Sequence, residues 1–118
     1  MSIQSQVESL GGLHDSRLIA IDWSAEERRL RLVVDDLYAN TWGYPGYPGP
    51  TRATVTFSEI SRLDVAADLT LEGLSIFEWS LSLEAQGLFS SVIGLAPGGR
   101  VSIVCRSIEI DGIEPAAA

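Results

Sequence analysis

The chain has 118 residues, a 46% apolar fraction and a net charge of −8, which suits one globular domain spanning residues 1–118 and excludes a disordered polyelectrolyte. All eight basic residues are arginine, and the negative balance repels phosphate backbones and anionic membranes, so neither a nucleic acid nor a lipid surface is expected as partner. Cys105 is the single cysteine, no stretch reaches the roughly 20 apolar residues of a membrane helix, and the first residues do not read as a signal peptide. The expectation is a cytoplasmic protein without an internal disulfide.

Ile3, Val7 and Leu10 recur at helical spacing, with Ser2 placed to cap the start and Gly11-Gly12 placed to end the run, so a short N-terminal helix is predicted. The period then changes to two. Ile19, Ile21 and Trp23 alternate with Leu18, Ala20 and Asp22, and after the turn Ser24–Glu27 a second run sets Leu30, Leu32 and Val34 against Arg29, Arg31 and Val33. A third run, Arg52 to Phe57, sets Ala53, Val55 and Phe57 against Arg52, Thr54 and Thr56. Ile19, Ile21, Leu30, Leu32, Val55 and Phe57 are thereby expected to share the core face.

Ser58 to Leu63 reads as a single helical turn, with Ser58 as its cap, while Asp64 to Thr70 fits neither period. From Leu74 to Leu83 alternation returns, with Phe77, Trp79, Leu81 and Leu83 opposite Ile76, Glu78, Ser80 and Ser82. Phe89 to Leu95 reads as a strand, Ala96-Pro97-Gly98-Gly99 as a turn, and Arg100 to Ile110 as the closing strand. In that last strand Val101, Ile103 and Cys105 occupy odd positions and Ile108 and Ile110 even ones, so a β-bulge is expected near Arg106-Ser107. The tail, residues 115–118, is expected to be disordered. The predicted fold class is α+β: a mostly antiparallel sheet of about six strands with a short N-terminal helix.

One segment departs from turn chemistry. Trp42-Gly43-Tyr44-Pro45-Gly46-Tyr47-Pro48-Gly49-Pro50 holds one of three tryptophans, two of three tyrosines and three of five prolines. Proline fixes φ and cannot donate to a ladder, and glycine admits left-handed backbone, so this is a shaped loop rather than a strand or helix. Its aromatic side chains suit stacking on a sugar or peptide, or covering an open end of the sheet. Trp42, Tyr44 and Tyr47 are the candidate partner-binding residues.

Catalytic constellations are sparse. His14-Asp15-Ser16 contains the residue types of a hydrolase triad, but sequence neighbours diverge in space and no Gly-x-Ser-x-Gly elbow is present; Asp15 and Ser16 suit turn bonding instead. Asp35-Asp36, with Asp15 and Asp22 upstream, lacks EF-hand spacing, so no metal site is expected. Glu78 interrupts an apolar strand, and with Glu84 evokes a glycosidase carboxylate pair, although its phase is that of Ser80 and Ser82. Cys105 has strand neighbours Ile103 and Val104 and reads as a small buried hydrophobe. The glycines after Pro97 precede neither a helix nor a lysine, so a phosphate loop is absent and no cofactor is expected.

Leu13-His14-Asp15-Ser16-Arg17 before an Ile-x-Ile strand, then a charged hairpin and a Leu-x-Leu strand, together with Val55-Thr56-Phe57-Ser58-Glu59-Ile60 and Leu63, resembles small bacterial "LHDS"-type domains of unassigned function, some grouped with immunity proteins of toxin–antitoxin-like competition systems. The resemblance covers mainly residues 13 to 63 and the closing strand Ile103 to Ile110. It implies a β-rich binding domain without catalysis; the Tyr-Pro-Gly loop lies outside its pattern. The function expected is therefore a non-enzymatic interaction domain, in its sharpest form neutralising a toxin, with a basic protein as partner. The alternatives are a small hydrolase or sugar-modifying enzyme built on Glu78, Asp36 or His14, and a structural homo-oligomer subunit.

Overall fold

The computed structural model describes residues 2–70 and 72–115. A helix, α1 (Ile3–Ser9), precedes eight strands: β1 (Arg17–Ser24), β2 (Arg29–Asp35), β3 (Thr51–Ser58), β4 (Arg62–Ala66), β5 (Ser75–Leu83), β6 (Phe89–Ala96), β7 (Arg100–Cys105) and β8 (Ser107–Pro115). All pairings are antiparallel, in the order β4-β7-β6-β5-β1-β2-β3-β8. The α1 start is capped as expected, with the Ser2 hydroxyl accepting from the Ser5 amide at 3.1 Å.

Eight strands replace the expected six or so, and the difference has a local cause. β3 runs into β4, and β7 into β8, with only short breaks. Ser58 pairs with Ser107 and Arg62 with Val104, which leaves Glu59, Ile60 and Ser61 opposite Cys105 and Arg106. That extra residue makes a bulge, and Glu59 takes φ 52° to absorb it. Segment 58–63 is therefore the end of one strand, a bulge and the start of another, not a helical turn. Ile60 and Leu63 are apolar because Ile60 is buried in the core and Leu63 packs against it. The expected break near Arg106-Ser107 falls at Arg106.

The β3–β8 and β4–β7 pairs are thus two halves of one bent ribbon. Its first half adds to the sheet through β2–β3 and its second through β6–β7, so the ribbon links the two ends of the sheet. The remaining seam lies between β1 and β5, which meet only at Arg17 and Ser75. Elsewhere along the seam other segments stand beside the strands. Residues 10–14 run past β5, where Asp15 donates to the Ile76 carbonyl at 2.8 Å, and the segment after β4 runs past β1, where Leu18 donates to Leu74 at 2.8 Å.

Both seam strands carry a bulge, in β1 between Leu18 and Ala20 and in β5 between Ile76 and Glu78. Each shifts the side-chain phase by one. Ile19 is consequently 45% exposed rather than in the core, while Leu18 and Ile21 pack against it. Phe77 is 57% exposed, whereas Ile76 is buried on the same side as Trp79; Leu83 is likewise exposed at the strand's end. Leu30, Leu32, Val55 and Phe57 occupy the core as expected, joined by Val7, Leu10 and Leu13 from the N-terminal segment. The Trp79 indole donates to the buried Ser91 hydroxyl and its ring lies 5.8 Å from Phe57.

Pro115 is the last residue of β8, opposite Thr51; residues 116–118, the rest of the expected tail, lie outside the described residues. Among the described residues, no helix is long and apolar enough to cross a membrane.

Candidate functional site

Leu13-His14-Asp15-Ser16 forms the junction that sets the site. Leu13 is fully buried at φ 58°, an unusual conformation for a bulky residue that its core packing holds in place. His14 Nδ1 lies 2.6 Å from the Phe77 carbonyl, and a carbonyl only accepts, so Nδ1 is the donor. The ring also meets Phe77 edge-on at 5.8 Å. Asp15, at φ 70°, gives its amide to β5 and leaves its carboxylate in solvent, 3.7 Å from His14 Nε2. Ser16 is fully buried and donates its hydroxyl to the Asp36 carbonyl at 3.1 Å. His14 is therefore directed at β5 and Ser16 at the end of β2, and the three residues do not converge as a triad requires.

Asp36 joins this junction to the aromatic loop. Its amide donates to Asp35 Oδ1 at 3.0 Å, its carbonyl accepts from Ser16 and Ala39, and its carboxylate Oδ1 accepts from the Tyr47 hydroxyl at 2.5 Å. Asp35 is buried and its other oxygen holds Arg17 at 2.8 Å. The Tyr47 phenol is pushed up from its ordinary 10 to about 12, because ionisation would give up the hydrogen bond donated to Asp36, leave the phenolate partly desolvated and set it against the Asp36 and Asp35 carboxylates.

The loop itself is a succession of turns. Trp42 donates to Ala39 at 3.0 Å, Tyr44 to Thr41 at 3.0 Å and Tyr47 to Tyr44 at 3.2 Å, while Leu37 donates to Thr51 at 2.9 Å and closes the base. Gly43, Gly46 and Gly49 have φ of 85°, 94° and 92°. An added Cβ would meet nothing within 4 Å at any of them, so glycine is needed for its backbone and not for space. Three candidate residues thus separate into two roles. Tyr47 is half-buried and tethered, whereas Trp42 and Tyr44 are 73% and 69% exposed.

Trp42 also borders a shallow cup of about 260 Å³ with Asp15, Asp36 and Ala39. An aromatic face beside two carboxylates attracts a cation through both the ring quadrupole and charge. In the sequence Asp36 stands out as half of an acidic pair and as a candidate of the alternative enzyme; its junction role depends on a φ of 56° and on contacts that no local pattern encodes.

The other candidate residues lie elsewhere. Glu78 is exposed and borders a groove with His14 and Glu8, while Asp36 belongs to the cup. The carboxylate of Glu84 accepts from Ser82 at 3.0 Å. Asp22 lies on the outer face in register with Arg31. Cys105 is buried in the core, and burial pushes its thiol up to about 11, which keeps it protonated at neutral pH. Among the described residues, no three His, Cys, Asp or Glu side chains are grouped as a metal ion would require. The chain matches no protein-family model and no curated protein.

Proposed function

We propose that this protein is a protein-interaction domain that docks through its aromatic loop onto a basic partner, and that its sharpest form is immunity-like neutralisation of a toxin. The observation that carries this reading is the division of labour in the loop: Tyr47 is bound to Asp36, while Trp42 and Tyr44 stand exposed and Trp42 borders the acidic cup. Tyrosine and tryptophan offer large contact area with few rotatable bonds, and a tethered, proline-restricted loop loses little entropy on docking. The −8 charge supplies long-range attraction for a basic surface, and the cup accepts an arginine or lysine side chain at short range.

The test is affinity capture from the native host with the parent chain and with a Trp42→Ala/Tyr44→Ala double variant. A basic partner retained by the parent and lost by the variant supports the reading, and if that partner arrests growth, co-expression of the parent chain should restore it. Equal capture by both proteins contradicts the loop's role.

A further inference from the structure

The aromatic loop leaves the β1–β5 seam unused, and the seam contains a second feature. Beyond Leu18, the backbone partners of β1 among the described residues lie in β2 alone. The start of its other edge borders a groove of about 460 Å³, with Leu18–Ile21 on one side and Leu69, Glu72 and Leu74 on the other. The walls are mainly apolar, and Ile19, Trp23 and Leu69 remain 39–45% exposed.

Exposed sheet edges normally carry charges, bulges or proline that prevent pairing with another chain. The two other edges of this sheet follow that rule. β8 presents Glu109, Asp111 and Glu114 and has Gly112 at φ 62°, while β4 is only five residues long and includes Arg62 and Asp64. β1 has its bulge at Ile19, and beyond it the edge from Ala20 to Ser24 carries one charge, Asp22, and no proline.

We infer that the edge of β1 receives an extended peptide segment of a partner, in which apolar and basic residues alternate. The alternation follows from the pleat. Ile21 and Trp23 share one face, in register with the buried Leu32 and Leu30, while Ala20 and Asp22 share the other. An added strand sets its apolar residues over the first face and its basic ones beside Asp22 on the second, with Glu72 on the far wall. Main-chain bonds to the edge supply affinity and the alternating side chains supply selectivity. Glu72 in the groove, Asp22 beside it and the −8 net charge favour this segment over a second copy of the chain, which would bring an equal negative charge.

The experiment titrates the full chain with a synthetic hexapeptide of alternating valine and lysine, followed by amide NMR and hydrogen exchange. The expected result is saturable shifts at residues 19–24, with slowed exchange there, and no comparable response to a peptide carrying glutamate in place of lysine. Asp22→Lys should weaken binding of the lysine peptide several-fold, and thermal melts confirm that this variant folds. A Trp23→Lys variant, which adds a guarding charge to the edge, should lose the response while the Trp42 and Tyr44 signals stay in place. Shifts at β4 or β8 instead, no saturation at millimolar peptide, or shifts at residues 19–24 that depend on protein concentration alone each overturn the proposal; the last assigns the edge to self-association. Loss of the aromatic-loop function in the Trp42→Ala/Tyr44→Ala variant leaves this titration unchanged, so the two proposals fail separately.

Discussion

β2 and β3 differ from β1 and β5 in a way that explains most of what the chain reveals and conceals. β2 and β3 are flanked on both sides over Leu30–Val34 and Ala53–Phe57, and their side chains alternate there, so that Leu30, Leu32, Val34, Val55 and Phe57 are all at most 2% exposed. β1 and β5 meet at one residue pair, each holds a bulge, and each turns a large apolar residue outward. Full pairing fixes phase; a seam allows it to slip. The slip also frees surface, and the groove beside β1 is its product.

The largest effects should separate these two regions. Phe57→Ala is expected to cost about 3–5 kcal/mol and Leu32→Ala about 2–5 kcal/mol in denaturant melts, as fully buried side chains do. Phe77→Ala and Ile19→Ala, residues of the same size and type, should each cost less than about 0.5 kcal/mol because their side chains already meet water. A loss above 2 kcal/mol at Ile19 would place it in the core after all and remove the β1 bulge from the account.

A smaller effect is expected at the turn after β6. Gly99 has φ 106°, and a Cβ there would lie 2.7 Å from the Ala67 Cβ and 2.9 Å from its Cα. Gly99→Ala should therefore cost about 1–3 kcal/mol, through backbone strain and a clash with residues at the end of β4. An unchanged melt would mean that this turn gives way and is not packed against β4.

These contrasts also mark how far the sequence could be read. The helix, the β2 and β3 phases and the break near Arg106 were legible because polar and apolar residues disagree about the period at those places. The bulges at Ile19 and Phe77 were not, since Leu18-Ile19-Ala20-Ile21 and Ile76-Phe77 are apolar in either phase and conceal an inserted residue. β4 was missed because an edge strand with one flank in solvent has no core face to enforce alternation; of its residues only Leu63 packs against the core. In the aromatic loop, composition identified the three aromatic residues but not their division. That division depends on Asp36, eleven residues from Tyr47 and held in place by Ser16.

A subtler test concerns that tether. Since the folded phenol of Tyr47 is raised to about 12, its bond to Asp36 stabilises the loop fully below pH 10 and is lost as pH rises through about 12. Phenolate absorbance should show a late-titrating component that Tyr47→Phe removes. The same variant should speed amide exchange in residues 42–49 without unfolding the sheet. A titration curve identical in the two proteins, once scaled for the missing ring, would show that the tether is absent in solution.

The central claim is that Trp42 and Tyr44 are displayed for a partner while Tyr47 holds the loop, and one comparison tests it most directly. Binding of the captured partner is measured by calorimetry for the parent chain and for the Trp42→Ala/Tyr44→Ala variant, alongside their melting curves. The account predicts at least a tenfold loss of affinity, about 1.4 kcal/mol, with stability changed by less than about 0.5 kcal/mol. Undiminished affinity in a variant that melts with the parent would contradict it.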